Sequence, residues 1–310
     1  MIDPMLLADL KEPFESDDHI AELKLDGIRA LLEVDHDRVK LYTRHQNDIA
    51  FNFEEITKAA ASAVPLGTTL DGELVVCNIE TGKPDFEAAM SRFQSRPKLG
   101  RTPGLAFVAF DIIRHQGNDL RSLDLMSRKA ILEEVLIENE VIKRIRFMEH
   151  SFISLFNLCK EQGLEGIVIK KRNSRYYYGQ RPKDLWQRVV VYQREVCVIM
   201  GYSKRELAWL LGIERDSKLI PAGMVKYGLT PAKRKKVFPI LANSKLRETS
   251  HFVYIDPLIR VGVRFRHWTK DGKMRLAVLE EIFYMPAHTR RFFVVYIKGF
   301  SQYKCIHISI

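Results

Sequence analysis

In the segment "ELKLDGIRA", residues 22–30, Lys24 stands two positions before Asp26-Gly27, with Arg29 just behind. Read alone, this string allows either a solvated charge on a hairpin or an amine nucleophile. Further chemistry-bearing residues follow in order. Arg44 ends "YTR", Glu73 lies in "LDGELVV", and Phe110 and Asp111 lie in "FVAFDII". Glu165 and Lys170 lie in "EGIVIKK", and Trp186 and Arg188 in "LWQRVV". Several are charged groups inside or at the ends of apolar runs. A charge in such a place needs a partner or a job, because removing it from water unpaired is costly.

The elements that position these residues can be read from periodicity. Alternation in "IAELKLDGIRALLEV" and "RVKLYTR" predicts strands joined at a turn over Asp35–Asp37. "NFEEITKAAASAV" reads as a helix with Asn52 as N-cap and Pro65 past its end. "TTLDGELVVCN" is the next strand, "PDFEAAMSRF" a short helix, and "GLAFVAFDII" a buried strand. "SLDLMSRKAILEEVLIEN" gives the longest helical pattern, and "SFISLFNLCKEQG" a second helix ending at Gly163. Past about residue 194 the texture changes to short strands between Gly, Pro and basic turns, which fits a small β-barrel. The basic run "TPAKRKKVF" falls between those strands as a helix or loop.

A chain of 310 residues accommodates two modest domains. Its net charge of +10 favours a polyanionic partner. No apolar run approaches the ~20 residues of a membrane span, so no membrane association is expected. The start "MIDPMLLADLKEP" has no basic n-region, so a signal peptide is not expected. Cys77, Cys159, Cys197 and Cys305 form no CxxC pair, which argues against a structural zinc site and for a reducing, cytoplasmic compartment.

Taken in order, these segments resemble the motifs of the ATP-dependent DNA ligase family. That family belongs to the covalent nucleotidyltransferases, with RNA ligases and mRNA capping enzymes. "KLDGIR" resembles motif I, "LDGELV" motif III, "FVAFDII" motif IIIa, "EGIVIK" motif IV and "LWQRVV" motif V. The resemblance implies an α+β architecture. A nucleotidyltransferase (adenylation) domain with antiparallel sheets and flanking helices would span residues 1–193, and an OB-fold β-barrel residues 194–284. Residues 285–310 form a tail of unassigned role.

It also implies nick sealing in duplex DNA by a monomeric enzyme, with ATP and Mg²⁺ (or Mn²⁺) as cofactors. RNA ligation, GTP-dependent capping and a non-catalytic nucleic-acid-binding relative are the alternatives. Lys24 would form a lysyl-AMP phosphoramidate. An unperturbed lysine is a free amine in only roughly one molecule in 2500 at pH 7, so Lys170 and Arg188 have two tasks: contacting ATP phosphates and helping to free that amine. Glu73 would contact the ribose and Glu165 the metal, with Glu73 a further metal ligand. Phe110 would stack on adenine while Asp111 orients neighbours. Arg29 and Arg44 would grip the AMP phosphate and the 5′-phosphate of the nick. Phe86 matches a position where related ligases press a ring on DNA, although packing on its own helix face is the expectation.

Two departures stand out. Motif V commonly reads W-x-K-x-K, but here it is Trp186-Gln187-Arg188-Val189-Val190. Val190 removes a phosphate contact, and Lys171 is the expected substitute. In "RFRHWTKDGKMRLAVLEEI" Arg275 falls at the motif VI arginine, but Leu276 and Ala277 stand where His-Pro is usual. On the barrel, Arg264 and Arg275, with Arg260, Arg266 and Lys233–Lys236, are the expected DNA contacts. Only 23 residues precede Lys24, so a minimal ligase without an N-terminal DNA-binding domain is expected.

Overall fold

In the computed structural model the described residues are 3–36, 38–95, 102–216, 218–284 and the backbone of 294–295. The chain divides into two compact units, Met1–Val191 and Tyr192–Ile310. The first unit runs β1 (Ala8–Leu10), β2 (His19–Leu23), β3 (Ile28–Val34), β4 (Val39–Thr43), α1 (Glu54–Ala63), β5 (Thr68–Val76) and α2 (Phe86–Gln94). It continues through β6 (Leu105–His115), β7 (Asn118–Asp119), α3 (Leu125–Val135), β8 (Ile142–Arg144) and β9 (Phe147–Met148). It ends with α4 (Phe152–Gln162), β10 (Gly166–Lys171) and β11 (Trp186–Val190).

These strands form two sheets, ordered β1-β11-β10-β2-β9 and β4-β3-β5-β6-β7, with β8 alongside β6. Pairing is antiparallel except for β1 with β11 and β8 with β6. The fold is thus mixed α/β with mainly antiparallel sheets. Successive strand residues face opposite sides, and both sheets use this period of two. On β10 and β11, Ile167, Ile169 and Val189 join Phe152 and Phe156 of α4 in one core. On β3, β5 and β6, Leu32, Leu70, Leu74 and Phe107 join Phe53 and Ile56 in another. The alternate positions carry Glu22, Val168, Lys170, Arg29, Asp71 and Glu73.

The structure corrects three expectations here. "IAELKLDGIRALLEV" is not one strand: β2 belongs to the first sheet and β3 to the second, and residues 24–27 cross between them. Gly27 makes the crossing possible, because a Cβ there would lie 2.2 Å from the Leu74 carbonyl oxygen. Asn52 is not an N-cap. It lies in a short 3₁₀ turn, and its side-chain amide donates to the carbonyls of Phe93 and Ser95 instead. The helix expected over 122–139 is shorter because the Asp124 carboxylate caps it by accepting from Ser127 N, and the chain leaves it after Val135.

The second unit comprises β12 (Gln193–Ser203), β13 (Trp209–Arg215), β14 (Lys218–Val225), α5 (Pro231–Asn243), β15 (Lys245–Glu248) and β16 (Phe252–Ile255). β17 (Ile259–Phe265), β18 (Val278–Tyr284) and β19 (Val294–Val295) follow. β12 pairs with β13 on one edge, and on the other with β17 along its first half and β16 at its end. β17 pairs with β18, and a bridge from Tyr227 to Val278 brings the end of β14 back to β18. The inward faces bury Ile199, Leu211, Val225, Val261 and Phe265. "TPAKRKKVF" begins α5, with the Thr230 hydroxyl accepting from Lys233 N. Of the tail 285–310, all but the backbone of 294–295 lies outside the described residues.

Candidate active site

The cleft-facing side chains of the two sheets in the first unit meet around a cleft that opens to solvent. Glu22, Lys24, Lys170 and Trp186 line it from the first sheet, and Arg29, Glu73 and Phe110 from the second. Lys24 is placed by the backbone: its N–H donates to the Gly166 carbonyl at 2.9 Å, extending the β2–β10 ladder. The same ladder sets Glu165, just before β10, beside it. Lys24 Nζ donates to Glu165 Oε2 at 2.8 Å, with the two side chains 17% and 11% exposed.

The opposite wall is held by buried charge. Arg29 Nε and Nη2 donate to the two Asp71 carboxylate oxygens at 3.0 and 2.6 Å. Tyr176 Oη donates to Asp71 Oδ2 at 2.6 Å. Burial opposes the Arg29 charge, but Asp71 outweighs it and raises the guanidinium pKa above its ordinary value. Burial pushes the Glu73 carboxyl up to about 8, against the pull of Lys24 and Arg29. Behind Phe110, Asp111 accepts a two-pronged contact from Arg128, whose Nη1 also donates to the carbonyls of Leu123 and Ser174. Both side chains of that pair are fully buried.

The aromatic end of the cleft is cationic. Lys170 Nζ lies 4.1 Å from the Trp186 ring centroid and 4.5 Å from that of Phe110. The two rings meet edge to face at 6.4 Å. Lys170 is 2% exposed, and burial pulls its ammonium down to about 8 although Glu22, 2.7 Å away, favours the charge.

Seven residues singled out from sequence therefore converge: Lys24, Arg29, Glu73, Phe110, Glu165, Lys170 and Trp186. Arg188 shares the β11 face of Trp186, but its Nε is bound to Asp9 at 2.6 Å and it does not line the cavity. Arg44 does not line the cavity: it is exposed in the turn after β4, where its Nε donates to His45. Lys171 does not replace the missing motif V cation, because strand alternation turns it from the Lys170 face, towards His19. Phe86 is half-buried in the first turn of α2.

In the second unit, Arg264 is 38% exposed and lies 3.6 Å from Glu280, with its guanidinium 4.6 Å from the Tyr192 ring. Arg275 is half-buried in the turn before β18. Lys233 Nζ is spent on the carbonyls of Leu279 and Glu280, which removes it from the expected DNA contacts. The sequence reading missed Glu22, Asp71, Lys129 and Tyr176. Glu22 and Asp71 sit inside quoted segments at the strand parity of Lys24 and Glu73, and that parity was the available signal.

Residues 4–189 match the family described as "ATP dependent DNA ligase domain", well over half of the chain. The chain belongs to the ATP-dependent DNA ligase family. It is 35% identical over 279 residues to the SPbeta prophage-derived DNA ligase-like protein LigB of Bacillus subtilis, covering 90% of this chain and 98% of that protein. It is 33% identical over 296 residues to the multifunctional non-homologous end joining protein LigD of Pseudomonas aeruginosa, spanning 88% of this chain but only 34% of that protein. The crystal structure of the ligase domain of M. tuberculosis LigD is similar at 25% identity and a TM-score of 0.55, over 91% of this chain and 95% of that domain. Among the described residues, no helix is long and apolar enough to cross a membrane.

Proposed function

We propose that the chain seals 5′-phosphate/3′-hydroxyl nicks in duplex DNA, with ATP, through a lysyl-AMP intermediate and an adenylylated 5′ end. The observation that carries this reading is the Lys24–Glu165 pair at 2.8 Å inside a cleft that also holds Phe110, Glu73 and Lys170.

In the first step the Lys24 amine attacks the α-phosphorus in line with the leaving pyrophosphate. The N–P bond forms as the P–O bond breaks, and Glu165 Oε2 takes the amine proton. Most of the rate enhancement in such a transfer comes from positioning and charge neutralisation. Lys170 and the Arg29 N–H groups not turned to Asp71 face the phosphates, and Phe110 offers a ring face to adenine. AMP then passes from Lys24 to the 5′-phosphate oxygen, and the 3′-hydroxyl displaces AMP to form the phosphodiester.

Glu165 and Glu73 fit a divalent cation. They are oxygen donors in one cleft, and burial leaves Glu73 short of positive charge. Among the described residues no cluster of three or more His, Cys, Asp or Glu forms a protein cage, which suits Mg²⁺ held largely by phosphate oxygens and water. When bound, the ion would neutralise phosphate charge. Residues 194–284 are read as an OB-fold whose Arg264 and Arg275 contact DNA, and Arg44 as a DNA contact of the first unit.

Incubation with ATP and Mg²⁺ should add one adenylyl mass, removable by pyrophosphate and absent in Lys24→Ala. The labelled protein should seal nicked duplex DNA. Absence of the mass in the wild type would leave a non-catalytic relative, and sealing of RNA strands alone or charging by GTP alone would overturn the DNA–ATP assignment.

A further inference from the structure

Lys129, on α3, does not line the cleft, yet it is charged and buried at 4% exposure. Its ammonium is hydrogen-bonded to Glu22 Oε1. The other Glu22 oxygen, Oε2, lies 2.7 Å from Lys170 Nζ. One buried carboxylate from β2 is thus shared by two ammonium groups, one behind the wall and one in the cavity. Beyond this contact, Lys129 Nζ lies over the Phe147 ring at 5.6 Å.

A single carboxylate facing a single buried lysine makes a neutral pair, and a neutral pair is a poor grip for a polyanion. A second lysine changes this. It takes one oxygen, fixes the carboxylate's rotation and leaves the trio with a net positive charge. In a low-dielectric site that surplus acts strongly on an incoming phosphate. Lys170 is the member that reaches the cavity, so the surplus is presented there.

We propose that Lys129 is a positioning residue: by holding Glu22 from behind the cleft wall, it leaves the Lys170 ammonium available to an anionic ligand. The link to ATP rests on the functional reading above, but the three-residue arrangement does not.

The charged groups acting on Lys170 are Glu22 on β2, Lys129 on α3 and Asp111 on β6. Glu22 and Asp111 favour its charged form, and Lys129 disfavours it. Removing Lys129 must therefore raise the Lys170 pKa, and removing the Glu22 charge must lower it. A general loosening of the fold would not produce opposite signs.

The experiment follows the Lys170 side chain in the full-length protein by ¹³C-lysine NMR, with its signal assigned by loss in Lys170→Arg. The midpoint should move to higher pH in Lys129→Met and to lower pH in Glu22→Gln. In parallel, the KM for ATP in self-adenylylation should rise about tenfold in Lys129→Met, while Lys129→Arg stays near wild type. An unchanged midpoint in Lys129→Met, or a shifted midpoint with an unchanged KM, would overturn the proposal. If the wild type takes up no AMP, the functional reading fails. The NMR signs then judge the arrangement alone, with inorganic triphosphate as the binding probe: Lys129→Met should weaken its binding, and equal binding would overturn the proposal.

Discussion

At the scale of single residues, Glu73 shows how far burial, with the neighbouring Glu165 and Asp71 charges, can move a functional group. Its carboxyl is pushed up to about 8 from an ordinary value of 4.5. The folded protein thus keeps a proton there that the unfolded chain has released. Between those values stability must fall as pH rises, because the native state binds more protons. Glu73→Gln cannot make that proton exchange. Its melting temperature should rise relative to wild type as pH goes from 5 to 8, with no further gain above about 8.5. A gap that is flat with pH would show that Glu73 titrates normally. The same shift bears on ligand binding. A divalent cation needs the ionised carboxylate, so binding of Mg²⁺ with ATP at pH 7 should release a proton from Glu73. Calorimetry in buffers of different ionisation enthalpy should detect the release in wild type and lose it in Glu73→Gln.

At the scale of elements, the site depends on two backbones coming too close for a side chain. Gly27 lets the chain cross from β2 to β3, and Gly166 opens β10. A Cβ at 166 would lie 2.1 Å from the Val189 carbonyl oxygen, and the φ of +137° there suits glycine. Gly166→Ala should therefore destabilise the protein by roughly 1–3 kcal/mol, the scale of backbone strain. It should also lower adenylylation at temperatures where the protein remains folded, since Glu165 and the carbonyl that binds Lys24 N flank the change. Circular dichroism melts beside a mass-shift assay would check both. Unaltered stability and activity would mean that the ladder absorbs the change.

Much at this scale was legible from sequence. Strand alternation alone separates Ile167 and Ile169, which pack on α4, from Lys170, which faces the cleft. The break after Leu23 was not legible, because the apolar alternation runs through it and only tertiary contact with Leu74 fixes the crossing. Glu22 and Lys129 were missed for a related reason. They are 107 positions apart, and their meeting depends on how α3 packs. Lys171 shows the opposite failure: proximity in sequence suggested a substitute cation, and the period of two turns it away.

At the scale of the whole molecule, the proposed nick sealing assigns the net charge of +10 and the exposed arginines to DNA rather than ATP. Phosphate neutralisation releases counterions, so affinity for nicked duplex should fall linearly in log–log terms with salt, with a slope that counts the contacts. Arg44 is the informative probe because the structure keeps it out of the cleft. Arg44→Ala should leave the rate of self-adenylylation unchanged. It should reduce the salt slope for nicked-DNA binding by about one, and Arg264→Ala should do the same from the second unit. Anisotropy titrations from 50 to ~200 mM salt would measure both slopes. Arg128, fully buried against Asp111, supplies the contrast. Replacing it by Ala leaves a buried carboxylate unpaired and should cost roughly 3–5 kcal/mol of stability. Any loss of DNA binding in that variant should follow the unfolded fraction and leave the salt slope of the folded protein unaltered. A reduced slope for Arg128→Ala with an unreduced one for Arg44→Ala would reverse the assignment of surface and core charge.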